Sequence, residues 1–271
     1  MIKFSIILAT KNLKNSPFLN AIADWPCDEN SELIIVDSAW DHETTKLLKN
    51  IDKVERIIYI PPIREPYVKA PRFNFRRDFN RALNSALVVA EYEYIIRIDD
   101  YILLKDDFFE VARKDIKKYK NRLIIGQKAH ENEDEKPWVD YFSKRGLLPR
   151  RRYVEINNPL FTWSFGIASL DVLLKINGYD ERYDIGYAGE DADILARYIV
   201  YTKKPAILDK RLMGYGLKHK RELEDILPAR WIFDATLPEI KQGKIWAYNP
   251  INLSEVRSQL KDELREKFSV R

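Results

Sequence analysis

Short apolar runs alternate with helical patterns through the first half of the chain. Residues 4–9, 32–37, 56–60, 94–98 and 122–126 are runs of mainly apolar residues without polar alternation. Runs of that kind predict strands covered on both faces. Between them, residues 42–52 put Leu47, Leu48 and Ile51 on one side of a helix. Residues 76–90 repeat Phe79, Leu83, Ala86, Leu87 and Ala90 at helical spacing, and residues 106–119 predict a third helix. Strand and helix in alternation predict an α/β/α sandwich of Rossmann-like type with a mostly parallel central sheet. The pattern breaks over 129–160, a charged stretch with Pro137, Pro149 and Pro159. A connection of that length is usually functional, and here a cover over a bound ligand is expected. Beyond it, a helix over 170–176 ends at the C-cap signal Asn177-Gly178. A helix over 190–201, a strand near 206–208 and a final amphipathic helix over 254–268 follow.

Glycine changes the functional picture most. There are 9 in 271 residues, about half the usual share, and none precedes Gly126. A dinucleotide-binding turn and a P-loop both need glycines early in the chain, so both are excluded. Six of the nine fall between Gly166 and Gly216. A net charge of +4, from 46 basic and 42 acidic residues, gives no electrostatic case for nucleic acid. Cys27 is the only cysteine, which excludes an intramolecular disulfide and fits a cytoplasmic setting. No apolar run approaches the length of a spanning helix.

Candidate chemistry sits where an open α/β sheet binds ligands, outside the carboxyl ends of its strands. Thr10-Lys11-Asn12 follows the first strand, Asp37-Ser38 the second, and Asp99-Asp100 the fourth. Two adjacent carboxylates repel unless a cation lies between them, and a hard divalent cation would also bring in a phosphate. A solvated turn accounts for such a pair equally well. Arg72, Arg76, Arg77 and Arg81 precede this strand and can reach a diphosphate, or form a solvated helix face. A second acidic group, Glu190, Asp191 and Asp193, opens a helix behind Gly186 and Gly189. The helix dipole explains acids there by roughly 0.3–1 kcal/mol each, but not the glycines. An aspartate at that place, facing a pocket, suits a general base. His219 follows a glycine-containing turn late in the chain and can return to the carboxylates.

The ordered set Ser5-Ile6-Ile7-Leu8-Ala9-Thr10, Ile35-Val36-Asp37, Asp78-Phe79-Asn80-Arg81, Ile96-Arg97-Ile98-Asp99-Asp100, Asn177-Gly178-Tyr179-Asp180-Glu181 and Gly189-Glu190-Asp191 resembles the family 2 inverting glycosyltransferases of the GT-A fold. With Trp163 and His219 it is similar to their chondroitin-polymerase and β-galactosyltransferase branch. The resemblance covers roughly residues 3–220. It implies a nucleoside-diphosphate sugar donor, UDP-linked in preference to GDP-linked, and a Mn²⁺ or Mg²⁺ cofactor. It implies hexosyl transfer to a hydroxyl of a glycan, glycolipid or glycoprotein. By resemblance Asp191 is the catalytic base and Glu190 orients the acceptor. Thr10, Asp37, Arg77, Asn80, Asp99 and Asp100 contact the donor, and Asp100 and His219 hold the metal. Residues 1–128 then form a nucleotide-sugar half, 129–225 an acceptor half, and 226–271 a C-terminal extension. The segment Asp37-Ser38-Ala39-Trp40 departs from the family's usual Asp-Asp-Gly-Ser.

Two other classes share these features. A sugar nucleotidyltransferase has the same layout, but opens with a glycine-rich loop that Ala9-Thr10-Lys11-Asn12 lacks. A non-catalytic sugar- or nucleotide-binding protein on the same fold would not need Asp191. Trp231, Phe233, Trp246 and Tyr248, with Lys241 and Lys244, suit either peripheral membrane contact or packing of the tail on the domain.

Overall fold

The computed structural model describes residues 1–63, 78–130, 153–157, 163–185, 189–217 and 230–270. Its parallel strands are β1 (Phe4–Thr10), β2 (Asp28–Asp37), β3 (Val54–Ile60) and β4 (Tyr94–Asp99), in the order β3-β2-β1-β4. β1 is buried along its whole length, as a run without polar alternation requires. Helix α1 (Phe18–Ala21) follows β1 and α2 (His42–Leu48) follows β2. Asp41 caps α2 by accepting from the Thr44 backbone N–H at 2.8 Å. Helix α3 (Phe79–Val89) leads into β4, and Leu83, Ala86 and Leu87 join one core layer with Ile7, Ile34 and Ile58. Phe108 of α4 (Phe108–Lys118) lies in the opposite layer with Phe4, Ile6 and Leu33.

The same sheet continues as β4-β8-β6-β9-β5, with β7 pairing the far end of β9. These strands are β5 (Ile102–Leu104), β6 (Ile124–His130), β7 (Tyr153–Ile156), β8 (Gly166–Ser169) and β9 (Ala206–Gly216). Four pairings here are antiparallel: β4 with β8, β6 with β8, β5 with β9 and β7 with β9. The sheet is therefore parallel through its first four strands and mixed beyond them. Gly166 begins β8 with φ +150°, and a Cβ there would stand 2.0 Å from the Ile124 carbonyl oxygen. Only glycine lets β8 approach β6 that closely.

Helices α5 (Leu170–Lys175), α6 (Glu190–Thr202), α7 (Arg230–Lys241) and α8 (Leu253–Phe268) complete the described α-helices. Helix α8 packs on α3. Arg257 donates to the Val88 carbonyl at 2.7 Å, Arg265 to that of Val89 at 2.7 Å, and Lys261 pairs with Glu91 at 2.9 Å. Leu253, Val256 and Leu260 lie in the same core layer as Leu83 and Leu87. The last helix is thus part of the main core. No helix among the described residues is long and apolar enough to cross a membrane.

Candidate active site

Strand register gathers the first set of predicted residues. Thr10 pairs in register with Asp37, and Ala9 with Asp99, so three strands end at one level. Thr10 donates its hydroxyl to Asp100 Oδ2 at 2.6 Å, and Ser16 donates to the Asp100 carbonyl at 2.6 Å. Asp37 is 1% exposed. Its carboxylate accepts from the Leu13 N–H (3.0 Å), the Ala39 N–H (2.9 Å) and the Tyr59 hydroxyl (2.8 Å). These bonds fold the β1 and β2 ends into one surface. Burial and the Asp37 carboxylate push the Tyr59 phenol well above its ordinary range.

Asp99 turns toward β6, where Lys128 donates to its Oδ2, and the Tyr101 hydroxyl donates to the same oxygen at 3.0 Å. Burial raises the Asp99 carboxyl, but the charges of Lys128 and Arg97 and the two hydrogen bonds outweigh it and hold the group below its usual value. The repulsion expected between Asp99 and Asp100 is relieved here by a protein cation. Among the described residues no group of three His, Cys, Asp or Glu is arranged to hold a metal. A Mn²⁺ or Mg²⁺ bound through a diphosphate needs only one or two carboxylates. Asp100, a part-exposed oxygen donor at the strand end, fits that role. His219 and Arg77 lie outside the described residues.

The second acidic pair opens α6. Gly189 precedes it with φ +108°, and a Cβ there would come within 2.8 Å of the Tyr183 ring. This positive φ turns the chain into the helix. Asp191 forms an ion pair with Arg97, which lies in the middle of β4 and is 1% exposed. The Arg97 guanidinium lies over the Phe79 ring at 5.5 Å and the Tyr179 ring at 5.2 Å. It also donates to the Trp163 carbonyl at 2.5 Å. Burial, and next the charge of Asp191, push the Glu190 carboxyl up to about 7. Its Oε2 is buried with no hydrogen-bond partner among the described residues. Arg97, two residues before Asp99 in β4, pairs with Asp191 and so brings the helix-start pair beside the strand that carries Asp99.

Other predicted residues have structural ties. Asn80 is 2% exposed and donates its amide to Asp184 at 3.0 Å, while its backbone N–H donates to the same carboxylate at 2.7 Å. Asp184 thereby covers the first turn of α3, and burial drives its carboxyl well above the ordinary range. Arg81 pairs with Glu181 at 3.3 Å and Asp78 at 3.5 Å. Asp193 pairs with buried Arg197 at 2.6 Å. The residues not singled out from sequence are Arg97 and Lys128. Arg97 did carry a signal, as the one charge inside the run Tyr94-Ile95-Ile96-Arg97-Ile98.

No family model and no curated protein sequence matches the chain. Solved structures do. A 1–349 chain of S. aureus TarS in complex with UDP-GlcNAc superposes with a TM-score of 0.62 at 14% identity, covering 98% of this chain and 73% of that one. A TarS structure matches at 0.60 and 15% identity over 80% of this chain, which spans 37% of that one. The mannosyltransferase PcManGT from Pyrobaculum calidifontis, in complex with GDP-Man and Mn²⁺, matches at 0.54 and 17% identity, covering 82% of this chain and 58% of that one. The fold is that of the GT-A glycosyltransferases.

Proposed function

We propose that the chain is a metal-dependent, inverting glycosyltransferase that moves a hexosyl group from a nucleoside-diphosphate sugar to an acceptor hydroxyl. The observation that carries this is the meeting of two acidic pairs, Asp99-Asp100 and Glu190-Asp191, around the end of β4 in a GT-A fold. Thr10, Asp37, Arg77, Asn80, Asp99 and Asp100 serve the donor. Asp100 and His219 would hold Mn²⁺ or Mg²⁺, which supplies positive charge against the diphosphate. Asp191 accepts the proton of the acceptor hydroxyl as that oxygen attacks the anomeric carbon and the nucleoside diphosphate leaves. Glu190 orients the acceptor. One displacement inverts the configuration. Structures that resemble this one contain UDP-GlcNAc or GDP-Man with Mn²⁺, and we favour a UDP-sugar. The acceptor is a glycan, glycolipid or glycoprotein, reached in a cytoplasmic setting. Trp231, Trp246 and Tyr248, 62%, 55% and 56% exposed, are the residues for peripheral membrane contact.

A thermal-shift panel of UDP-, GDP- and dTDP-sugars with and without Mn²⁺ tests the reading. A shift that needs both nucleotide and metal is expected, and Asp100→Asn should lose its metal-dependent part, a fall of about 10- to 100-fold in nucleotide affinity. An equal shift in wild type and Asp100→Asn would remove Asp100 from the donor site.

A further inference from the structure

We propose that Arg97 is a positioning residue for transfer: its guanidinium fixes the Asp191 carboxylate and ties it to the peptide that leads into β8. The inference rests on Asp191 being the proton acceptor. Arg97 lies in a central strand, 1% exposed, among isoleucines. A well-packed apolar side chain of similar volume often serves stability as well in such a place, because the desolvation of a guanidinium offsets much of the attraction gained by pairing it. A buried charge at this position therefore calls for a role beyond packing. Its partner lies 94 residues away at the start of α6.

The geometry suits holding a carboxylate still. The aromatic rings of Phe79 and Tyr179 lie against the guanidinium, and Tyr179 stacks on Trp163 at 6.1 Å with an 8° interplanar angle. One guanidinium nitrogen donates both to Asp191 Oδ1 and to the Trp163 carbonyl. The Trp163 N–H returns to the Asp191 carbonyl at 3.4 Å. Strand β4, the Trp163 peptide and the first turn of α6 are thus joined at one carboxylate. That carboxylate keeps 16% of its side-chain surface exposed, enough to meet an acceptor hydroxyl. A base must sit within hydrogen-bond reach of the proton it takes, and a displacement of about 1 Å costs roughly 100-fold in rate.

The test compares wild type, Arg97→Gln, Arg97→Lys, Asp191→Asn and the double variant R97Q/D191N. Turnover is nucleoside diphosphate released from UDP-GlcNAc or GDP-mannose with Mn²⁺, per nucleotide-binding site counted by titration with UDP or GDP. Arg97→Gln should lower kcat per site about 100-fold with donor KM within about threefold. Arg97→Lys keeps the charge without the planar fork and should recover about tenfold of that loss. The double variant should be no slower than Asp191→Asn alone. A purely structural role would lower Tm and the number of binding sites and leave the rate per site unchanged. Wild-type kcat per site in Arg97→Gln, or in Arg97→Lys should the glutamine variant not fold, overturns the proposal. So does a double variant slower than Asp191→Asn by the full Arg97→Gln factor. Wild-type turnover in Asp191→Asn instead overturns the assignment of Asp191, and with it the role given to Arg97. Independently of turnover, a crystal structure of Arg97→Lys should show the Asp191 carboxylate displaced, and an unmoved carboxylate overturns the proposal.

Discussion

Two pairs of adjacent acids meet at this site, and the molecule treats them alike in one respect and differently in another. In each pair one acid is matched by a protein cation: Asp99 by Lys128, and Asp191 by Arg97. The other acid of each pair is held differently. Asp100 takes the Thr10 hydroxyl, and Glu190 keeps a buried oxygen without a partner. The cations differ in setting. Lys128, on β6, is 18% exposed, whereas Arg97 is enclosed in the core. The difference teaches how one site can handle two ligands. At the strand end Lys128 offsets the charge of Asp99, and on the proposed function Asp100 is the acid that serves a cation and diphosphate. At the helix start a buried arginine fixes one carboxylate, while burial keeps its neighbour near the point of half-protonation at neutral pH.

Removing the strand-end cation gives the largest expected change in stability. Lys128→Met leaves Asp99 mostly buried beside Arg97 and Tyr101, and should lower Tm by roughly 5–10 °C at pH 7. The sign with pH is set by the depressed Asp99 carboxyl: its stabilisation is full above the unfolded value near 4 and is lost as pH falls through the lower folded value. The Tm gap between wild type and Lys128→Met should therefore narrow as the solution is acidified below the unfolded value. A gap of equal size at pH 3 and pH 7 would show that Lys128 does not act through Asp99.

A smaller effect of opposite sign is expected at the helix start. The Glu190 carboxyl is raised to about 7 in the folded chain. Its protonated form therefore favours folding below the unfolded value near 4.5, and that contribution is lost as pH rises through 7. Glu190→Gln should raise Tm by about 2–4 °C at pH 8 and change it little at pH 4.5. Destabilisation at pH 8 would mean that Glu190 has a counter-charge in solution.

Much of this arrangement was legible in the chain, and the rest was hidden by distance along it. The apolar runs that became β1 to β4 announced the parallel half, and the polar groups read at three of their ends come to one level. Gly189, a glycine that the helix dipole left unexplained, has a positive φ. The mixed half was harder to read. β5 has 3 residues and β8 has 4, too short to show a period. β9 runs for 11 residues, where the sequence pattern marks a strand only near 206–208, and Asp209 and Arg211 pair within it at 2.7 Å. Helix α7 contains Pro238, which interrupts the usual helix signal. Within the site, Asp99 meets Lys128 across 29 positions, and Asn80 meets Asp184 across 104. No local pattern joins such residues. Asn80 had been read as a donor contact, yet its described side-chain bond is to Asp184.

The central claim is that donor binding belongs to the strand-end acids and proton acceptance to Asp191. The most direct test is Asp191→Asn, comparing nucleotide-sugar affinity with turnover under the same metal conditions. Donor affinity should stay within about threefold of wild type while turnover falls by about 1000-fold or more. Wild-type turnover in that variant would contradict the account.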